Sequence, residues 1–193
     1  MKDDFKNIVS TDWLEQHLEA PDIRIIDSSW YFPQEKRNAE QEFLECHIPG
    51  ASFFDIDKIK DNDSDLPHML PPSAMFNSTV RKLGIGDGHK VVIYDGLGMR
   101  SAARLWWMFK VFGYSDVVVL DGGFPKWVKE NRSTTAEITE KEIRHLTIYE
   151  DKSIVADRDD VLRATKLNHC SIIDARSEER FMGTAPEPRS GLR

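Results

Sequence analysis

The chain has 193 residues, 40% of them hydrophobic and 31% charged. That is enough for one full domain and part of a second, and it excludes wholesale disorder. Acidic residues outnumber basic ones 33 to 26, for a net charge of −7, which excludes a general nucleic-acid or anionic-membrane binder with a basic footprint.

No stretch approaches the roughly 20 apolar residues that span a bilayer. The start, Met1-Lys2-Asp3-Asp4-Phe5-Lys6, lacks the apolar segment of a secretory signal. Two cysteines in such a chain do not make a disulfide framework and fit a reducing compartment. The expected location is cytoplasmic.

In chain order, Val9 to Leu18 reads as a short helix capped by Ser10 or Thr11, with Trp13, Leu14 and Leu18 on one face. Arg24-Ile25-Ile26-Asp27 follows as a short buried strand. A polar stretch leads to the turn His47-Ile48-Pro49-Gly50-Ala51. Residues 52–57 are apolar enough to be partly buried, and 58–72 form an Asp- and Pro-rich loop. Ser73 to Leu83 forms a helix closed by Gly84. Lys90 to Tyr94 is a β-branched run and a strand. Met99 to Phe112 has helical spacing, with Trp106, Trp107, Phe109 and Phe112 assigned to the core. Val117 to Leu120 is another strand, and Phe124 to Val128 begins a last short helix. Strands alternating with helices predict an α/β fold, a mainly parallel sheet flanked by helices.

Residues 131–150 are polar without a strong period and read as a linker between a first domain, 1–130, and a second segment, 151–193. The opening pattern then returns: Ser171-Ile172-Ile173-Asp174 repeats the strand at Arg24 to Asp27, and Val161-Leu162 precedes it as Leu14 precedes the first. This predicts one complete repeat and the opening of another. An unpaired strand at 171–174 is expected to pack onto the first domain or to self-associate with another chain.

Four groups of residues are candidates for chemistry. The loop Asp95-Gly96-Leu97-Gly98-Met99-Arg100-Ser101 joins a strand to a helix, so its amides and the helix N-terminus can face one anionic group. It is otherwise a tight turn that binds nothing. Its first position is already anionic, and a carboxylate cannot carry sulfane sulfur. Asp57 and His68 flank a loop and can form an acid–imidazole pair for proton transfer, or be incidental neighbours among Asp61, Asp63 and Asp65. Arg180 and Arg189 bracket a Pro-stiffened segment and can grip a carboxylate or sulfur oxyanion, or simply pair with Glu178, Glu179 and Glu187. Cys46 and Cys170 are either nucleophiles or small buried residues. Cys46, His47, His169 and Cys170 lack zinc-ligand spacing, so no metal site is expected.

Taken together, the sequence resembles the tandem rhodanese-type sulfurtransferases, nearest their 3-mercaptopyruvate branch. The resemblance rests on His47-Ile48-Pro49-Gly50-Ala51-Ser52-Phe53-Phe54-Asp55, Val92 to Gly96, Arg104 to Phe109 and Leu120-Asp121-Gly122-Gly123. It rests further on Ile173-Asp174-Ala175-Arg176 and on Arg180 to Thr184 through Pro188-Arg189. It implies a small-molecule sulfur donor, a thiol or cyanide acceptor, a cysteine persulfide intermediate, and no metal or organic cofactor. It assigns Arg180 and Arg189 to the substrate carboxylate. Asp57 and His68 align with a proton relay whose third member is a serine of the catalytic loop. Asp95 occupies the nucleophile's position in a noncatalytic first domain, so the catalytic cysteine is expected outside this chain and the chain alone is expected to be inactive. A thiosulfate-specific enzyme and a noncatalytic rhodanese-like binding module are the alternatives.

Overall fold

The computed structural model describes residues 7–167 and 170–187. The chain divides into two compact units, Met1–Asp151 and Lys152–Arg193.

The first unit is built on five strands: β1 (Ile8–Val9), β2 (Ile23–Asp27), β3 (Ser52–Phe53), β4 (Lys90–Tyr94) and β5 (Val117–Leu120). They pair in the order β1-β5-β4-β2-β3, and every pairing is parallel. Five α-helices flank them: α1 (Thr11–Gln16), α2 (Ala39–Glu45), α3 (Ser73–Lys82), α4 (Ala102–Val111) and α5 (Gly123–Lys129). Parallel strands need crossovers, and the helices supply them while covering both faces.

β4 shows why its sequence is an unbroken apolar run. Val91 and Ile93 point into a cluster with Phe76, Leu105, Phe109 and Phe112 from α3, α4 and the residue after α4. Val92 and Tyr94 point the other way, among Leu14, Phe43, Val118 and Trp127. Side chains alternate along a strand, so a strand buried on both faces must be apolar at every position. Rings lock the first cluster: Phe76 stacks on Phe112 at 4.4 Å between centroids and meets Phe109 edge-on at 5.1 Å.

Among the strands and α-helices of this unit, β1, β3 and α2 lie outside the sequence reading. β1 is only two residues, held by Val119 N donating to Asn7 O and Asp121 N donating to Val9 O. α2 lies within the polar stretch. Asn38 caps it, accepting from Gln41 N at 3.0 Å, but Phe43 is its one buried residue, so the apolar period is missing.

Residues 131–150 carry no helix or strand, and the compact unit extends through them. Thr135 and His47 exchange backbone hydrogen bonds at 2.8 and 2.9 Å. Leu146 is 3% exposed within the α3–α4 cluster.

In the second unit, α6 (Arg158–Ala164) begins at Asp157, whose carboxylate accepts from Asp160 N while Asp160 accepts from Asp157 N. A short α7 spans Glu178–Phe181. The strand expected at 171–174 is not formed. Ile172 is 54% and Ile173 86% exposed. A parallel strand exists only through hydrogen bonds to a neighbour, and the described residues of this unit contain no strand to provide them. Among the described residues, no helix is long and apolar enough to cross a membrane.

Candidate functional site

β4 ends at Asp95, and its side chain turns back under the loop that follows. One carboxylate oxygen, Oδ1, accepts from Leu97 N at 2.8 Å and Met99 N at 3.2 Å. The other accepts from Ala102 N, in the first turn of α4, at 2.8 Å. Gly98 (φ 80°) and Met99 (φ 79°) take left-handed conformations to aim these amides inward. The side chain is wholly buried. The cradle anticipated in the sequence therefore exists, and the protein's own carboxylate fills it.

Beside it, β2 ends at Asp27. Ser29 donates to Asp27 Oδ1 through both its backbone N–H (2.8 Å) and its hydroxyl (2.5 Å). The same hydroxyl accepts from Gly96 N at 2.8 Å. Burial pushes the Asp27 carboxyl up to about 6, the Asp95 charge adds to the rise, and hydrogen bonds from Ser29 and Tyr94 oppose it. Gly96 lies close under Tyr31: a Cβ there would fall 2.1 Å from the Tyr31 hydroxyl and push that side chain aside. A cavity of about 220 Å³ lies above, lined by Asp27, Ser29, Tyr31, Arg37, Cys46 and Gly96 among others. Arg37 stacks on Tyr31 at 3.8 Å and forks onto Glu42, so its charge is already answered.

Asp57 and His68 are brought together. His68 Nε2 and Asp57 Oδ1 are 2.5 Å apart. Asp57 is exposed and His68 half-buried. Three features missing from the sequence reading hold the pair. Trp30 Nε1 donates to the second Asp57 oxygen at 3.0 Å. The Trp30 ring meets the imidazole edge-on at 4.9 Å. The backbone of His68 is left-handed (φ 57°), and its carbonyl accepts from the Arg104 guanidinium at 2.6 Å. A tryptophan just past the end of a buried strand was the available signal.

Arg180 pairs with Glu187, its Nε donating to Oε2 at 3.1 Å and its NH2 donating to the same oxygen. Arg176 donates to the other Glu187 oxygen at 2.5 Å. Hydrogen bonds from Arg180 and then Arg176 hold the Glu187 carboxyl below its usual range. This is the pairing that the local acidic residues offered. Arg189 and His169 lie outside the described residues. Cys46 and Cys170 are free and exposed, which corrects the buried alternative. Cys46 follows the last turn of α2, away from the helix N-terminus that activates a nucleophilic thiol. Cys170 lacks the packed strand that would have covered it.

The family profile described as rhodanese-like domain matches residues 10–130. The chain belongs to the rhodanese family. It is 43% identical over 96% of its length to thiosulfate/3-mercaptopyruvate sulfurtransferase 1, mitochondrial, of Arabidopsis thaliana, covering 55% of that protein. It is 40% identical over 95% of its length to the thiosulfate sulfurtransferase of Bos taurus, covering 64% of it. Among solved structures it is similar to SseA from Escherichia coli, described as a 3-mercaptopyruvate sulfotransferase of rhodanese fold. That match has a TM-score of 0.84 and 39% identity over 90% of this chain and 67% of the other. The chain thus spans between about half and two thirds of these relatives. Within a rhodanese fold, the Asp95 loop is the strand-to-helix turn at the carboxyl end of the central strand, where α/β sheets place their ligands.

Proposed function

We propose that this rhodanese-like unit is the noncatalytic half of a sulfurtransferase that moves sulfane sulfur from 3-mercaptopyruvate to a thiol or cyanide. The single observation that carries this is the Asp95 carboxylate accepting three backbone amides. Such a cradle stabilises an anion at a helix N-terminus. With a carboxylate fixed inside, it has no room for a thiolate, and the carboxylate itself cannot bond a transferable sulfur. The nucleophilic cysteine then belongs to a second copy of the loop, outside this chain.

There the thiolate attacks the sulfur of the donor and the carbon–sulfur bond breaks. Its electron pair leaves with the pyruvate enolate, which takes up a proton, and a cysteine persulfide remains. An acceptor thiolate or cyanide next takes the outer sulfur. Asp57 and His68 are the proton relay in this reading, with their 2.5 Å contact as support. Arg180 and Arg189 receive the donor's carboxylate. Arg180 must then exchange its Glu187 partner for the substrate. The name of the Bos taurus relative favours a second reading, in which thiosulfate is the donor.

The test is turnover. This chain alone, offered 3-mercaptopyruvate or thiosulfate with cyanide, is expected to form no thiocyanate above background. Turnover that disappears in Cys46→Ser or Cys170→Ser contradicts the reading. In the polypeptide that carries both this chain and the nucleophilic cysteine, the donor with the higher kcat/KM decides between mercaptopyruvate and thiosulfate. Asp57→Asn is expected to lower kcat there by a factor of about 100.

A further inference from the structure

The end of the sheet opposite Asp95 gathers positive charge. β2 and β4 begin there, and the turn Gly84-Ile85-Gly86 draws basic side chains from three parts of the chain. Arg24 Nε donates to the Gly84 carbonyl at 2.8 Å. The stem of Lys141 lies over Gly84, where an added Cβ would stand 2.8 Å from Lys141 Cβ. The stem of Arg144 lies over Gly86, where an added Cβ would stand 2.7 Å from Arg144 Cβ. His89 Nδ1 accepts from Gly86 N at 2.9 Å. Arg81 Nε donates to the Arg144 carbonyl at 2.8 Å. The two glycines are what let the lysine and the arginine settle on the turn.

Arg24 and Lys141 have no ion pair among the described residues, although carboxylates stand nearby. Arg24 spends its hydrogen bonds on the carbonyls of Gly84, Pro21 and Ile23, and its NH2 group makes none among the described residues. Arg144 pairs with Glu142 at 3.0 Å, and Glu142 is exposed. Glu140 and Glu142 both line the same cavity, and Asp22 faces Arg24 and His89. The cations still repel one another. Arg24 is held below its ordinary range by burial and then by Arg144. His89 is lowered by burial, then by Arg24 and Arg144. Lys141 is lowered by burial and then by Arg24. In a chain of net charge −7, such a cluster runs against the general balance.

A cavity of about 360 Å³ opens between them, lined by Arg24, Gly84, Thr139, Glu140, Lys141 and Arg144 among others. We propose that this cavity is an anion site that takes a phosphate- or sulfate-type oxyanion, free or carried on a larger molecule. The unused NH2 of Arg24, the Lys141 ammonium and the Arg144 guanidinium supply charge-assisted donors of the kind such groups prefer. The site lies at the opposite end of the sheet from Asp95 and is independent of the sulfurtransferase reading.

The experiment is calorimetric titration of this chain with sodium phosphate, sodium sulfate and ATP, each at ionic strength matched with sodium chloride. Saturable binding is expected. Lys141→Met keeps the stem over Gly84 and removes the charge, and it is expected to weaken binding about tenfold. Glu142→Gln frees Arg144 and is expected to tighten it. In ring-nitrogen NMR, a bound oxyanion is expected to raise the His89 pKa, because it offsets Arg24 and Arg144 while Asp22 stays in place. Tighter binding of ATP than of phosphate assigns the site to a phosphorylated molecule, and equal binding assigns it to the free ion. No saturable binding of any of the three overturns the proposal. So does binding that Lys141→Met leaves unchanged in a protein with wild-type circular dichroism.

Discussion

The triplet Ile-Ile-Asp occurs twice, and its two copies meet different fates. At 25–27 it is strand β2, with both isoleucines buried between two helical layers. At 172–174 it is not a strand, and both isoleucines are exposed. The turn after each copy is nonetheless the same. Asp27 Oδ1 accepts from Ser29 N at 2.8 Å, and Asp174 Oδ1 accepts from Arg176 N at 2.9 Å. Local hydrogen bonding thus follows local sequence, while strand formation follows the neighbours. The two carboxyls diverge for the same reason. Burial raises Asp27 to about 6, whereas hydrogen bonds from Arg176 hold Asp174 below its usual range.

The largest contrast is expected at the isoleucines. Ile26→Ala empties a packed position and should cost about 3 kcal/mol in urea unfolding. Ile173→Ala should stay within about 0.5 kcal/mol. A comparable loss at both sites would mean that Ile173 is buried in solution.

Next come the carboxyls. Asp27, with its folded-state pKa raised, binds its proton more tightly when folded. Its contribution is therefore greatest below the unfolded value of 3.8 and falls as pH rises to about 6. The loss is about 3 kcal/mol, and Asp27→Asn should remove it from the pH profile of stability. Asp174 has the opposite sign: its contribution is present above 3.8 and lost as pH falls further. A profile for Asp27→Asn that keeps the wild-type slope between pH about 4 and 6 would place the burial elsewhere.

The smallest contrast is at the residues that close the turns. Ser29→Ala leaves Gly96 N without its acceptor and should cost about 1 kcal/mol. Arg176→Ala removes partly exposed pairing to Asp174 and Glu187 and, with Arg180 still on Glu187, should cost less than Ser29→Ala.

The same physics explains what was legible in advance. β4 and β5 announced themselves because both of their faces are buried. Asp95 was legible because a strand, a glycine turn and a helix start stand in sequence there. The meeting of Asp57 with His68 was visible only as a chance. It depends on Trp30, Arg104 and a left-handed backbone at His68, contacts that join distant segments. α2 was hidden because a helix with one buried side chain has no period. The strand expected at 171–174 was overread, since a parallel strand is a property of the sheet and not of its own residues.

The most direct measurement is the intact mass of this chain after incubation with 3-mercaptopyruvate, read before and after cyanide. The account predicts no added sulfur atom, because the Asp95 carboxylate fills the amide cradle of its own loop. A cyanide-labile gain of one sulfur on Cys46 or Cys170 would contradict it.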